Sequence, residues 1–159
     1  MTGAKVAIVA GSYSDLEVIK KAKKVLDELG VEHDVFIYSA HRTPEELVSL
    51  IREDAYSCYI AIAGLSAALP GVIAAHTTRP VIGVPVSGKL NLDSILSIVQ
   101  MPPGVPVAAV GLDRGENAAL LAASILSLSH PEIEKSLKEY RVRMKKKTLE
   151  ANEKVRGEL

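Results

Sequence analysis

The sequence predicts an α/β domain: a parallel sheet covered by helices on both faces. Two observations predict it. Five short apolar runs read as buried strands, and helical stripes or small-residue segments separate them throughout. Crossovers between parallel strands are expected to be right-handed.

Each element has its own signal. Lys5 to Ala10 reads KVAIVA, a β-branched run stopped by Gly11. From Asp15 to Leu29, apolar residues recur at Leu16, Ile19, Ala22, Val25, Leu26 and Leu29, and Gly30 ends that helix. Val31 to Tyr38 contains the second strand. Thr43 then stands as a helix cap before Pro44, with Glu46 completing a capping box, and the helix runs to about Glu53. Cys58 to Ala63 is the third strand, followed by a small-residue helix from about Ser66 to Ala75. Pro80 to Val84 is the fourth strand, broken by Pro85. Leu92 to Val99 is a helix, Val105 to Val110 the fifth strand, and Asn117 to Leu128 an Ala- and Leu-rich helix.

Pro131 to about Glu158 forms a C-terminal helical tail on a single domain spanning 1–159. Ile133, Leu137, Tyr140 and Met144 make a partial stripe, for which a neighbouring subunit is the expected partner. The basic run Arg141 to Lys147 is flanked by Glu132, Glu134, Glu139, Glu150 and Glu153. It therefore reads as a solvated face rather than a phosphate or nucleic-acid patch.

Composition excludes several function classes. Lys plus Arg equals Asp plus Glu, at 19 each, so no bulk charge favours a polyanion. Aromatic residues are only 4%, too few for a stacking platform, and no nucleic-acid partner is expected. No apolar stretch approaches the roughly 20 residues of a membrane span, and Met1 to Lys5 lack a signal-peptide plan. The single Cys58 sits in an apolar run, as a buried thiol in a reducing cytoplasm would.

In parallel sheets of this kind, ligands sit outside the carboxyl ends of the strands. That rule puts Gly11 to Asp15, Ser39 to Arg42, Gly64 to Pro70 and Pro85 onward on one rim. In the first segment, Ser12 and Ser14 offer hydroxyls beside helix-start N–H groups, which suit a phosphate or ribose. Asp15 would cap the helix and could hold a sugar hydroxyl. In the second, Ser39-Ala40-His41-Arg42, His41 is the side chain suited to proton transfer near neutral pH. Arg42 can grip phosphate or carboxylate with two parallel hydrogen bonds.

The third segment, Ala63 to Gly71, is either tight helix–sheet packing or an apolar wall with exposed N–H groups. Such a wall, through Gly64, Ser66 and Leu69, would hold a small neutral molecule such as carbon dioxide. His33, His76 and His130 lie off the rim, with His76 on the opposite edge. No residues have metal-ligand spacing, so no metal is expected.

Several motifs stand together in order: Gly-Ser-x-Ser-Asp at 11–15, Ser-Ala-His-Arg-Thr-Pro at 39–44 and Pro-Val-Ile-Gly-Val-Pro-Val at 80–86. Asp-Ser-Ile-Leu-Ser-Ile-Val-Gln-Met-Pro at 93–102, Gly-Val-Pro-Val at 104–107 and Asn-Ala-Ala-Leu-Leu-Ala-Ala at 117–123 follow. Over nearly the whole chain this resembles the family of N5-carboxyaminoimidazole ribonucleotide mutases and phosphoribosylaminoimidazole carboxylase catalytic subunits. The resemblance implies a three-layer αβα, flavodoxin-like fold, a homo-octamer, and a reaction without cofactor or metal. It implies that Ser12, Asp15 and Arg42 bind the ribonucleotide, that Ser14 and Ser39 lie near its phosphate, and that His41 carries the proton. The implied reaction, in de novo purine biosynthesis, moves carbon dioxide from the exocyclic nitrogen to ring carbon 4.

The third segment departs from the mutase pattern Gly-Ala-Gly-Gly-Ala-Ala-His-Leu-Pro-Gly. It is shorter, and Ala68 stands where that His would precede Leu69-Pro70-Gly71. Its length and Ser66 resemble the sister class of aminoimidazole ribonucleotide carboxylases, which use free carbon dioxide. Arg42-Thr43-Pro44 and the downstream segments resemble the mutases, which is the expected activity. A direct carboxylase and a non-catalytic nucleotide-binding module are the alternatives.

Overall fold

The first apolar run, Lys5–Ala10 (β1), forms the inner strand from which the sheet grows on both sides, in a computed structural model that describes residues 4–158. Met1, Thr2 and Gly3, on which the expected lack of a signal-peptide plan largely rests, lie outside the described residues. The remaining strands are β2 (Glu32–Ile37), β3 (Cys58–Ala63), β4 (Val81–Pro85) and β5 (Ala108–Ala109). All pair in parallel, in the flavodoxin-like order β2-β1-β3-β4-β5.

The helices are α1 (Leu16–Leu29), α2 (Pro44–Arg52), α3 (Leu69–His76), α4 (Asn91–Val99), α5 (Gly115–Leu126) and α6 (Pro131–Glu158). Strand side chains alternate between two apolar layers, as a period of two requires. Val6, Ile8, Ala10, Ile60, Ile62, Ile82 and Val84 pack with the apolar stripes of α1 and α5. Ala7, Val9, Tyr59, Ala61 and Ala63 pack with Leu47 and Leu50 of α2, Ile73 of α3 and Ile98 of α4. A sheet buried on both faces explains why its inner strands read as unbroken apolar runs. Cys58 is fully buried here, and burial pushes its thiol up to about 12, so it packs as a small hydrophobe.

Four sequence expectations need correction. The fifth strand shrinks from 105–110 to Ala108–Ala109, because Pro106 has no N–H to give the ladder and Val105 turns back onto Pro102. Pro85 ends β4 rather than breaking it, pairing with Ala63 at the strand terminus. The small-residue helix starts at Leu69, not Ser66, because Leu65 and Ala67 adopt left-handed backbone, with φ of 54° and 37°. Thr43 stands at the cap position of α2 but forms no capping box. Its hydroxyl instead accepts from Ser39 N at 2.8 Å and lies 3.3 Å from Ser39 O.

The tail helix α6 packs partly on its own chain. Ile133 is buried, and Leu137 and Tyr140 lie against the layer built by α1 and α5. Farther along, Val142, Leu149 and Val155 are exposed. The basic run is exposed and partly ion-paired, with Arg143 on Glu28 and Lys146 on Glu150, as a solvated face should be.

Helices α1 and α5 approach closely at Gly115. A Cβ there would lie 2.3 Å from the Val18 carbonyl oxygen, a backbone atom that cannot step aside alone. Gly115→Ala should therefore destabilise the fold by about 1–3 kcal/mol. A urea titration checks this, and an unchanged midpoint would show that the helices part freely.

Candidate active site

The order of the strands places a cleft at the carboxyl end of the sheet. From β1 the chain crosses to β2 on one side, then returns to β3 on the other. The loops after β1 and β3 thus leave in opposite directions. A cavity of about 480 Å³ opens there. It is lined by the loops after β1, β2, β3 and β4, and every residue singled out from the sequence lies on it: Ser12, Ser14, Asp15, Ser39, His41, Arg42, Gly64, Ser66 and Leu69.

The β1 loop is a single 3-10 turn, Tyr13–Asp15, in front of α1. Ser12 caps it, its Oγ accepting from Ser14 N at 3.3 Å. The expectation that Asp15 caps α1 is corrected: its carboxylate makes no cap bond and instead accepts from Ser14 Oγ at 3.3 Å. Asp15 is one of two buried polar residues among those described, at 8% exposure. Burial raises its carboxyl above the ordinary 3.8. The Ser14 hydroxyl, the Ser12 N–H and the Arg42 charge oppose that shift, and the Asp113 charge adds to it.

The β2 loop is wound around one hydroxyl. Ser39 Oγ accepts from both His41 N and Arg42 N at 3.3 Å, while Thr43 N donates to Ser39 O at 2.9 Å. This knot leaves Ser39 lining the cavity while its oxygen is already engaged. Arg42 Nη2 donates to Gly11 O at 2.6 Å, joining the β2 loop to the β1 loop across the cleft. His41 is exposed and is the cavity's one imidazole among the described residues. His33 sits elsewhere, Nδ1 2.8 Å from Val31 O; His130 faces Glu132, and His76 lies at the opposite end of the sheet beside Thr77.

The β3 loop forms the apolar floor. Ala63, Ala67 and Leu69 are buried beneath it, while Leu65 and Ser66 are exposed at its edge. The two left-handed residues, Leu65 and Ala67, turn this loop without any side chain beyond Ser66 to offer a polar group. Sequence reasoning placed Pro85 onward on the rim but chose no residue there. The structure brings Val86, Ser87 and Gly88 into the wall. The rim rule was the available signal, yet no titratable group marks that stretch.

The surroundings hold no metal cluster: among the described residues, no group of three His, Cys, Asp or Glu could bind an ion. No helix among them is long and apolar enough to cross a membrane.

The family model described as AIR carboxylase matches residues 5–147, which include the whole sheet, every cavity loop and more than half of the tail helix. The chain belongs to the AIR carboxylase family. It is 55% identical to the N5-carboxyaminoimidazole ribonucleotide mutase of Methanocaldococcus jannaschii over 152 residues, covering 95% of this chain and 97% of that one. It is 56% identical to the protein of the same name from Pyrococcus abyssi, covering 89% and 84%. Among solved structures, Treponema denticola PurE superposes with a TM-score of 0.86 at 36% identity, covering 95% of this chain and 98% of that one.

In this family member, the raised Asp15 has a thermodynamic consequence. The unfolded chain ionises at Asp15 first, so folding stability falls as pH rises from 3.8 through the higher folded value, and the charged carboxylate costs stability at neutral pH. Asp15→Asn keeps an oxygen for Ser14 and loses the charge. Thermal melts at pH 7 should show an equal or higher Tm. A lower Tm would mean the buried charge supports the fold.

Proposed function

We propose that this chain is an N5-carboxyaminoimidazole ribonucleotide mutase of de novo purine biosynthesis. The observation that carries this reading is the meeting of one imidazole, His41, one guanidinium, Arg42, and the buried Asp15 around a cavity with an apolar floor. Its support is the 55% identity, over almost all of both chains, to a protein bearing that name.

The chemistry follows from the parts. Arg42, Ser14 and Ser39 hold the phosphate, and Asp15 and Ser12 hold ribose hydroxyls. Arg42 suits the task because a guanidinium fork matches phosphate oxygens. Its bond to Gly11 O already sets the fork over the β1 loop, beside the hydroxyls of Ser12 and Ser14. Binding energy from this remote end fixes the ring beside His41.

His41 gives a proton to the exocyclic nitrogen as the C–N bond to the carboxylate breaks, releasing carbon dioxide and leaving aminoimidazole ribonucleotide. Ring carbon 4 attacks the enclosed carbon dioxide, and His41 takes the proton that carbon 4 sheds. Protons balance over the cycle, so an isomerisation needs no external acid or base. Carbon dioxide stays against the neutral floor of Gly64, Ala67 and Leu69, a loop with no charged side chain, and closure must keep water from hydrating it. Keeping both fragments together removes a bimolecular encounter, which accounts for several kcal/mol of the barrier.

Ala68 contributes no second imidazole, so His41 performs both transfers. The chain acts as one catalytic domain in the cytoplasm and assembles as a homo-octamer. Exposed Leu92 and Val99 on α4, and Val142, Leu149 and Val155 on α6, offer apolar surface for neighbouring copies.

Purified protein should convert N5-carboxyaminoimidazole ribonucleotide without added bicarbonate. A rate on aminoimidazole ribonucleotide that rises with dissolved carbon dioxide, with none on the N-carboxylated substrate, would make it a direct carboxylase instead. His41→Asn should cut kcat at least about 10²-fold, in the range for loss of a general acid–base, with KM little changed. Normal turnover by that variant would remove His41 from the chemistry. Arg42→Ala should raise KM by at least tenfold, and Arg42→Lys should recover only part of it. An unchanged KM in the alanine variant excludes Arg42 from the phosphate grip. Light scattering should give a particle of eight chains, and a monomer would refute the assembly.

A further inference from the structure

The wall of the cavity after β4 carries no charged group, yet a strained residue from a distant loop holds it in place. Asp113 lies just before α5 with φ of 58°, a left-handed backbone in a residue with a Cβ. Three hydrogen bonds bind it there. Its N–H donates to Pro85 O at 2.8 Å, its Oδ1 accepts from Ser87 N at 2.8 Å, and its carbonyl accepts from Lys21 Nζ on α1 at 3.1 Å. The first two bonds straddle Val86, so Asp113 clasps the chain at Pro85 and at Ser87, where the chain leaves β4 and enters the cavity wall.

We propose that Asp113 is a positioning residue for the ligand cavity: it latches Val86, Ser87 and Gly88 into the wall facing His41 and Asp15. The proposal rests on the reading of this cavity as the ribonucleotide site. Asp113 does not line the cavity, so it acts through Ser87 rather than by touching substrate. Strain supports the assignment. A left-handed non-glycine residue is disfavoured unless its surroundings over-determine it, and here three hydrogen bonds, two to the segment Pro85–Ser87 and one to α1, do so. The geometry also suits an oxygen acceptor on a short side chain: Asp and Asn tolerate this backbone and carry the oxygen on Cγ, whereas Glu carries it one methylene farther out.

The wall has other supports. Gly88 N donates to Asn91 Oδ1 at 2.9 Å, and Ser94 Oγ lies 3.2 Å from Val86 O. These come from α4 and hold the far side, so loss of the Asp113 bond should loosen Ser87 without unfolding the segment. The carboxylate also stands close enough to Asp15 for its charge to be felt there.

Two variants isolate the latch. Asp113→Gly keeps the left-handed backbone and the N–H bond to Pro85 but removes the acceptor. Asp113→Asn keeps the acceptor and removes the charge. Hydrogen–deuterium exchange should show the Ser87 amide exchanging at least tenfold faster in Asp113→Gly and near the wild-type rate in Asp113→Asn. With N5-carboxyaminoimidazole ribonucleotide, Asp113→Gly should raise KM at least threefold with kcat changed less than twofold, and Asp113→Asn should restore the wild-type KM. Unchanged exchange at Ser87 in the glycine variant, or equal KM for glycine and asparagine variants, overturns the latch. A wild-type protein that turns over no ribonucleotide refutes the functional reading instead, while the exchange comparison still decides what Asp113 does to Ser87.

Discussion

The reversal of strand order beside β1 is the constraint from which the site follows. A parallel sheet must return its chain through helices, and β1 sends its chain toward β2 while β3 begins the march in the other direction. The loops after β1 and β3 therefore cannot cover one another. The space between them is filled by neither helix, and Gly11, Ser39 and Gly64 arrive at its edges by topology alone. Tight helix packing elsewhere keeps the frame rigid: α5 meets α1 so closely that residue 115 has no room for a Cβ.

Polar groups around the cleft hydrogen-bond to one another. Ser12 accepts from Ser14, Ser14 reaches Asp15, Ser39 takes two N–H groups of its own turn, and Arg42 crosses to Gly11. Such preorganisation places dipoles before a ligand arrives and avoids reorganising them during reaction. It has a thermodynamic counterpart at Asp15, where a carboxylate is kept in a buried position that raises its proton affinity. Of the four non-glycine residues with left-handed backbone among those described, Leu65, Ala67 and Asp113 lie in or next to the same region, while Asp54 lies at the opposite end of the sheet.

Much of the architecture was legible from periodicity. Strand β3 was read with its observed ends, and α1 ends at Gly30 in the left-handed conformation its position announced. The misread places have separate physical causes. Thr43 has the right spacing for a capping box, yet its hydroxyl finds Ser39 closer. Ser66 to Ala68 has helix-forming composition, but the loop must spread beneath the cavity, and tertiary packing overrides propensity there. The fifth strand was shortened by one missing N–H, at Pro106.

The sequence by itself determined the alternation of strand and helix and the chemistry available on the rim. Both depend on local order: the period of apolar residues, and the side chains that follow a strand. Only the tertiary structure decided that Ser87 belongs to the cavity wall, that Asp15 is buried instead of capping, and that Asp113, 26 positions beyond Ser87, reaches back to hold it. Those are contacts between segments far apart in the chain, set by how two helices and a sheet edge pack, and no local pattern encodes them.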